Sequence, residues 1–167
     1  MKKLGFFTLC LLIMGAPSHI LNAQEKKSKK EQQKEQAEKV QKLVELQNYT
    51  FVAQYAQPMT GGSINLTSEY DLKVGLDAVT AYLPYFGRAY VAPIDPTEGG
   101  IKFNSTDFDY RLNKNRKGGW TAFININDGK QGIQMTLNIA SSGSAILSVS
   151  DNNRQSISFN GHLAERK

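Results

Sequence analysis

From Tyr49 to the C-terminus the apolar residues fall at every second position, in short runs broken by turn residues. Side chains of an extended strand point alternately to opposite faces, so this pattern describes strands with one face buried and one in water. Phe51, Ala53 and Tyr55 alternate with Thr50 and Gln54 until Gln57-Pro58-Met59, and Thr60-Gly61-Gly62-Ser63 turns the chain. Ile64 and Leu66 open a short run. Leu72, Val74 and Leu76 alternate with Asp71, Lys73 and Gly75, and Val79, Ala81 and Leu83 follow. Pro93 to Gly100 is a loop by composition. Ile101 and Phe103 make a short strand, and Phe108, Tyr110 and Leu112 alternate against Asp107, Asp109, Arg111 and Asn113 up to a basic turn at Asn115–Gly119.

The last third is the most regular. Trp120, Ala122, Ile124 and Ile126 share one face, and Asp128-Gly129 is a hairpin signal. Ile133, Met135, Leu137 and Ile139 follow, then Ala145, Leu147 and Val149, then Ile157, Phe159 and Leu163. Ser141–Ser144 and Asp151–Asn153 supply the turns between them. About eight or nine strands with short connections and no alternating helices exclude a parallel sheet. The expectation is a mainly β domain over residues 48–167: an antiparallel meander closed as a small, lipocalin-like barrel or folded as a two-sheet sandwich.

The chain before this domain has a different character. Lys2 and Lys3 precede an apolar run from Leu4 to Ala16, and Leu21-Asn22-Ala23 precedes Gln24. This reads as a secretory leader, residues 1–23, cut between Ala23 and Gln24. The apolar run is shorter than the ~20 residues a spanning helix needs, so the mature chain is expected to have no transmembrane segment. Cys10, the only cysteine, lies inside the leader, which leaves no disulfide, thiolate nucleophile or cysteine metal site afterwards. Residues 24–47 form a Lys/Glu-rich tether and helix. Glu35/Lys39 and Glu38/Lys42 are favourable i,i+4 pairs, and Ala37, Val40, Leu43, Val44 and Gln47 lie on one helical face. The helix is expected from about Glu31 to Gln47, with only its C-terminal half able to dock. The ten residues from Glu25 read as solvated tether.

Charge excludes one class of partner. The chain carries +5, of which the leader's two lysines account for two, leaving +3. Seven lysines against five glutamates between Glu25 and Glu45 supply two more, so the β domain is nearly neutral. A nucleic-acid binder needs a basic patch on its folded part. None is expected here.

Catalytic chemistry finds little to work with. His162 is the only histidine outside the leader, and it sits with Ser156 and Ser158 on the polar face of the last strand, without a nucleophile elbow. Asp107 and Asp109 share a strand face beside Arg111, with too few converging oxygens for calcium. The Gly61-Gly62, Gly99-Gly100 and Gly118-Gly119 pairs lack phosphate-loop spacing. No catalytic residue, metal site or cofactor is expected. Asn48, Asn65 and Asn104 begin Asn-x-Thr sequons, a weak signal in a chain of bacterial appearance.

The densest aromatic stretch runs from Ala81 to Val91 and holds Tyr82, Tyr85, Phe86, Arg88 and Tyr90 around Pro84 and Gly87. Pro84 cannot donate to a ladder and Gly87 is permissive in φ, so a strand should stop there, bend and restart. Were the strand straight, Phe86, Arg88 and Tyr90 would share one face. Aromatics around an arginine stack on a sugar, a nucleobase or a peptide, or pack as core. The order Ser63-Ile64-Asn65-Leu66-Thr67-Ser68, Tyr70-Asp71-Leu72-Lys73-Val74, Tyr82-Leu83-Pro84-Tyr85-Phe86-Gly87-Arg88-Ala89-Tyr90, Gly100-Ile101-Lys102-Phe103 and Arg154 to Gly161 resembles the domain of unknown function 4251 family. That family comprises small exported proteins of gut-type Gram-negative bacteria, and the resemblance covers about Gln47 to the C-terminus. It implies a single mostly β domain and an exported or envelope location, and no activity. The expectation is an exported, periplasmic or extracellular, non-enzymatic module that binds a small, partly apolar ligand through Tyr82, Tyr85, Phe86, Arg88 and Tyr90. The alternative is a structural or protein-interaction module with an envelope protein as partner.

Overall fold

A computed structural model describes residues 28–90, 99–116, 118–127 and 132–166. The leader with Cys10 and the Ala23–Gln24 junction, most of the proline-rich loop, Val91, Lys117 and the Asp128-Gly129 turn lie outside them.

One helix, α1 (Lys29–Glu45), precedes nine strands: β1 (Tyr49–Pro58), β2 (Ile64–Val74), β3 (Val79–Leu83), β4 (Ile101–Ser105), β5 (Phe108–Lys114), β6 (Trp120–Ile126), β7 (Gln134–Ile139), β8 (Ser144–Asp151) and β9 (Arg154–Glu165). They form one sheet in the order β4-β3-β2-β1-β9-β8-β7-β6-β5, antiparallel throughout. The first and last strands pair side by side, from Tyr49↔Glu165 to Pro58↔Ile157. The two free edges, β4 and β5, are consecutive in the chain. The sheet is therefore a nearly closed barrel, and the sandwich alternative falls away.

Nine strands are an odd number, and a closed ring of antiparallel neighbours needs an even one. The conflict resolves at Thr106-Asp107. Ile101, Phe103 and Ser105 lie on the inner row of β4, and Phe108, Tyr110 and Leu112 on that of β5, so the alternation slips by one residue between them. Ser105, fully buried, donates its hydroxyl to the Asp107 carbonyl at 3.0 Å across the break. Residues 101–114 are thus one strand bent at Thr106-Asp107, paired with β3 by its first half and with β6 by its second. Eight strands in the geometric sense make the ring.

The interior is full. Phe51, Phe159, Leu72, Leu83, Ile124, Met135, Leu137, Leu147 and Ile157 have essentially no exposed surface. They come from all parts of the barrel, which matches an eight-stranded lumen filled by side chains. The alternation of buried and exposed residues follows the sequence pattern on β3 and β6–β9. Two expectations shift. The two runs around Ile64 and Leu72 are one strand, and Leu76, expected on its inner face, sits in the β2–β3 turn and is exposed.

Helix α1 closes one pole. It starts two residues before the expected Glu31 and extends into the presumed tether because Ser28 and Glu31 form a capping box: the Glu31 amide donates to Ser28 Oγ at 3.3 Å, and the Ser28 amide to Glu31 Oε2 at 2.9 Å. It ends in a Schellman motif, with Asn48 and Gln47 amides donating to the Leu43 and Val44 carbonyls. The motif puts Gln47 at φ 49°, a conformation normally left to glycine. Gln47 stays because its Nε2 donates to the Gly75 carbonyl at 3.0 Å, tying the helix end to the β2–β3 turn. Its other half touches the β7–β8 turn, where Gln36 donates to the Ser142 carbonyl. Val40 and Val44 are buried on the core, as the helical face predicts.

Candidate functional site

The aromatic stretch closes the opposite pole. β3 ends at Leu83, and Pro84 onward leaves the sheet as a strap to the β8–β9 turn. There the chain restarts for one residue, Ala89, in an antiparallel bridge with Arg154. The Tyr90 amide donates to the Asn153 carbonyl at 2.7 Å and the Gln155 amide to the Arg88 carbonyl at 3.1 Å. The Tyr85 hydroxyl is shared between the carbonyls of Arg88, 2.8 Å, and Gln155, 3.1 Å. Arg154 lies over the Tyr85 ring at 5.1 Å, places Nε 2.9 Å from Asp151 Oδ2 and donates Nη1 to the Gly100 carbonyl. The stop, bend and restart are as the sequence predicts, but the strap does not run as a straight strand.

The five aromatic-stretch residues consequently part company. Tyr82 stands on the outer face, its ring stacked on Tyr70 at 5.5 Å with Lys102 Nζ 5.0 Å above. Tyr85 is spent on the strap. Phe86 is half-buried against the core, while Arg88 and Tyr90 are exposed. A small pocket of about 170 Å³ lies beside Arg154, Asp151, Gly100 and Lys102, and its charged groups already have partners within the fold.

A larger concavity of about 1130 Å³ lies elsewhere, on the outside of the barrel towards the helix pole. The register aligns its centre across four strands: Asn138 faces Ile146, Ile146 faces Asn160, and Asn160 faces Tyr55. The β1 side owes its shape to a bulge. The β1–β9 register slips between Ala53 and Tyr55, so Gln54 and Tyr55 both point outward between buried Ala53 and Ala56. Tyr55 and Ile146 are 46% and 48% exposed, an uncommon pairing of large apolar surfaces on the outer face. Two glycines let the backbone beneath the groove approach closely. A Cβ on Gly161 would run into the Val52 carbonyl oxygen, and one on Gly119 into that of Ile139.

Polar groups surround this apolar centre. Thr121 donates to Asn138 Oδ1 at 2.9 Å, and Asn115 bonds Thr121 from the β5–β6 turn, beside Arg116. Asn160 carries a buried Oδ1 with no hydrogen-bond partner. An unmade bond of this kind costs about 1–3 kcal/mol. None of the five aromatic-stretch residues lines this groove. Sequence reasoning passed over it because its residues are scattered across β1, β7, β8 and β9. The one local signal was Gln54-Tyr55, where the alternation breaks.

The groups considered for catalysis are not assembled. Ser158 and His162 are four residues apart on one extended strand, a separation of about 13 Å. Asp107 and Asp109 both accept weakly from Asn127 Nδ2, at 3.4 and 3.3 Å, on an exposed edge. Burial holds the Tyr49 phenol well above its ordinary range, and raises Tyr110 and Tyr85 as well, Tyr85 against the opposing pull of Arg154 and its bond to Gln155. Each shift keeps a phenol neutral, the reverse of an activated base.

Fold and groove together define a class: a side-chain-filled meander barrel, closed by a helix at one pole and a strap at the other, with its main concavity outside. A solved structure with this fold is that of a DUF4251 family protein from Bacteroides eggerthii, 14% identical to this chain. The match has a TM-score of 0.58 and covers 78% of this chain and 87% of that one. The family Domain of unknown function (DUF4251) matches residues 31–163, and the chain belongs to it. The match begins inside α1 and takes in the helix as well as the barrel. No curated protein matches the chain.

Proposed function

We propose that this protein is an exported, non-enzymatic binding module that holds a small, partly apolar ligand in the outer groove centred on Tyr55 and Ile146. The observation that carries the reading is the juxtaposition in that groove of two exposed apolar side chains with the unpartnered Asn160 oxygen. Ligand sites combine an apolar lining with a few placed polar groups, and this is the one large concavity described with both. Export rests on the leader motif ending at Ala23. The strap residues serve the site at a distance, by fixing the barrel that presents it.

Native mass spectrometry of the protein purified from its own host's envelope tests this. A co-purifying small molecule that is lost in Tyr55→Ala/Ile146→Ala and kept in Tyr85→Phe supports the groove. A mass lost only with the strap variant, or no bound mass at all, refutes it. The second reading, an envelope interaction module, draws on Leu46 and Leu76, both largely exposed at the pole where Gln47 joins Gly75. A stoichiometric protein partner in the same spectrum favours it.

A further inference from the structure

Among the described residues the barrel has one long edge without a partner strand. β5 pairs with β6 from Phe108↔Ile126 to Lys114↔Trp120, and on its other side no strand of the described residues follows. The Asn127 amide donates to the Asp107 carbonyl and the Asn115 amide to the Gly119 carbonyl, so odd-numbered residues direct their peptide groups to β6. The N–H and C=O groups of Phe108, Tyr110, Leu112 and Lys114 therefore face the free side. Their inner-row side chains Phe108, Tyr110 and Leu112 are only half-buried, although the equivalent rows of β6 to β8 are buried. An edge of this kind is a template for another strand.

We infer that the occupant is β5 of a second copy of this chain, added antiparallel about a two-fold axis through Tyr110. The argument is register and charge. An axis at Tyr110 sets Tyr110 against Tyr110 and Phe108 against Leu112 as hydrogen-bonded pairs, which is the parity the free edge offers, and gives about six backbone bonds. The same axis sets Asp109 opposite Arg111 of the other copy, twice, on the exposed face. Arg111 has no ion-pair partner among the described residues, and Asp109 has only the Asn127 amide at 3.3 Å. Moving the axis to Arg111 places guanidinium against guanidinium. Moving it to Leu112 places Arg111 against Asn113 and Lys114 against Tyr110. Only the Tyr110 axis satisfies backbone and charge together, and isologous pairing is the commonest route to dimers. The inference rests on the β5 edge alone; the centre of the ligand groove lies on β1 and β7–β9, and only its rim at Asn115, Arg116 and Gly119 adjoins the end of β5.

Sedimentation equilibrium of the purified full-length product tests it, over a hundredfold range of concentration. The wild-type chain dimerises, and Arg111→Glu, which turns both cross-copy attractions into repulsions, raises the dimer dissociation constant about tenfold or more. The double variant Asp109→Lys/Arg111→Glu restores the wild-type constant, because each pair is reversed as a unit. Both side chains are exposed, so a circular dichroism spectrum unchanged in all three separates loss of pairing from loss of fold. A wild-type chain that stays monomeric throughout, an Arg111→Glu chain that dimerises as the wild type does, or a double variant no better than the single one each overturns the inference.

Discussion

Removing the Asp151 carboxylate should release the strap and cost a large share of the fold's stability. Asp151 and Arg154 side chains are 4% and 16% exposed and 2.9 Å apart. Asp151 also accepts from the Asn153 amide at 2.8 Å, which shapes the β8–β9 turn. Breaking a buried ion pair from one side costs about 3–5 kcal/mol, since the partner charge is left without compensation. Arg154 keeps its bond to the Gly100 carbonyl and its place over Tyr85, and some water reaches it. These put Asp151→Ala near the lower end, about 3 kcal/mol, against total stabilities of about 5–15 kcal/mol for a domain. Replacing both partners, Asp151→Leu with Arg154→Met, should fall within about 1 kcal/mol of wild type, because no charge is then stranded. Urea denaturation with an unchanged slope measures both. Exchange of the Tyr90 amide, bonded to the Asn153 carbonyl, should quicken in Asp151→Ala. A single-variant cost below about 1 kcal/mol would show the pair to be solvated and the strap to be held by something else.

Other consequences are as specific. Gly161→Ala should cost about 2–3 kcal/mol in the same assay, because its Cβ meets the Val52 carbonyl and, at 3.0 Å, the Phe51 ring. Ser28→Ala should lower stability by about 1 kcal/mol or less and reduce helical ellipticity, leaving the barrel intact, since only the exposed first turn loses its cap. Stability should fall on the alkaline side. Tyr49 and Tyr110 are raised above 10.0 by burial, so the unfolded chain loses phenolic protons first. Their contribution is complete below pH 10 and is lost as the pH climbs through 10 towards the folded values. Tyr49→Phe should flatten that loss in pH-dependent melting, and an unchanged slope would refute the assignment.

Much of the barrel was legible because its strands obey one rule. Trp120 to Ile126 and Ala145 to Val149 alternate without error, and burial on one face fixes their register. The rule was hardest to read where it slips. The Thr106-Asp107 step decides that two runs form one bent strand, and the Gln54-Tyr55 step decides where the groove lies; each is a one-residue change of phase whose meaning depends on a partner strand far away in sequence. The early start of α1 was visible in Ser28 and Glu31, a capping box masked by the lysines around it. Aromatic density singled out the strap residues and carried no information about the outer groove. Tyr85 and Phe86 are rich in surface because they close a pole, and surface alone does not distinguish a closure from a binding face.

Hydrogen–deuterium exchange on the envelope-purified protein, before and after its co-purifying small molecule is stripped, tests the outer-groove site most directly. Stripping should speed exchange at residues 54–55, 138–146 and 158–161, and leave the strap at 84–90 unchanged. Faster exchange confined to residues 82–90, with the groove segments unaltered, would contradict the account.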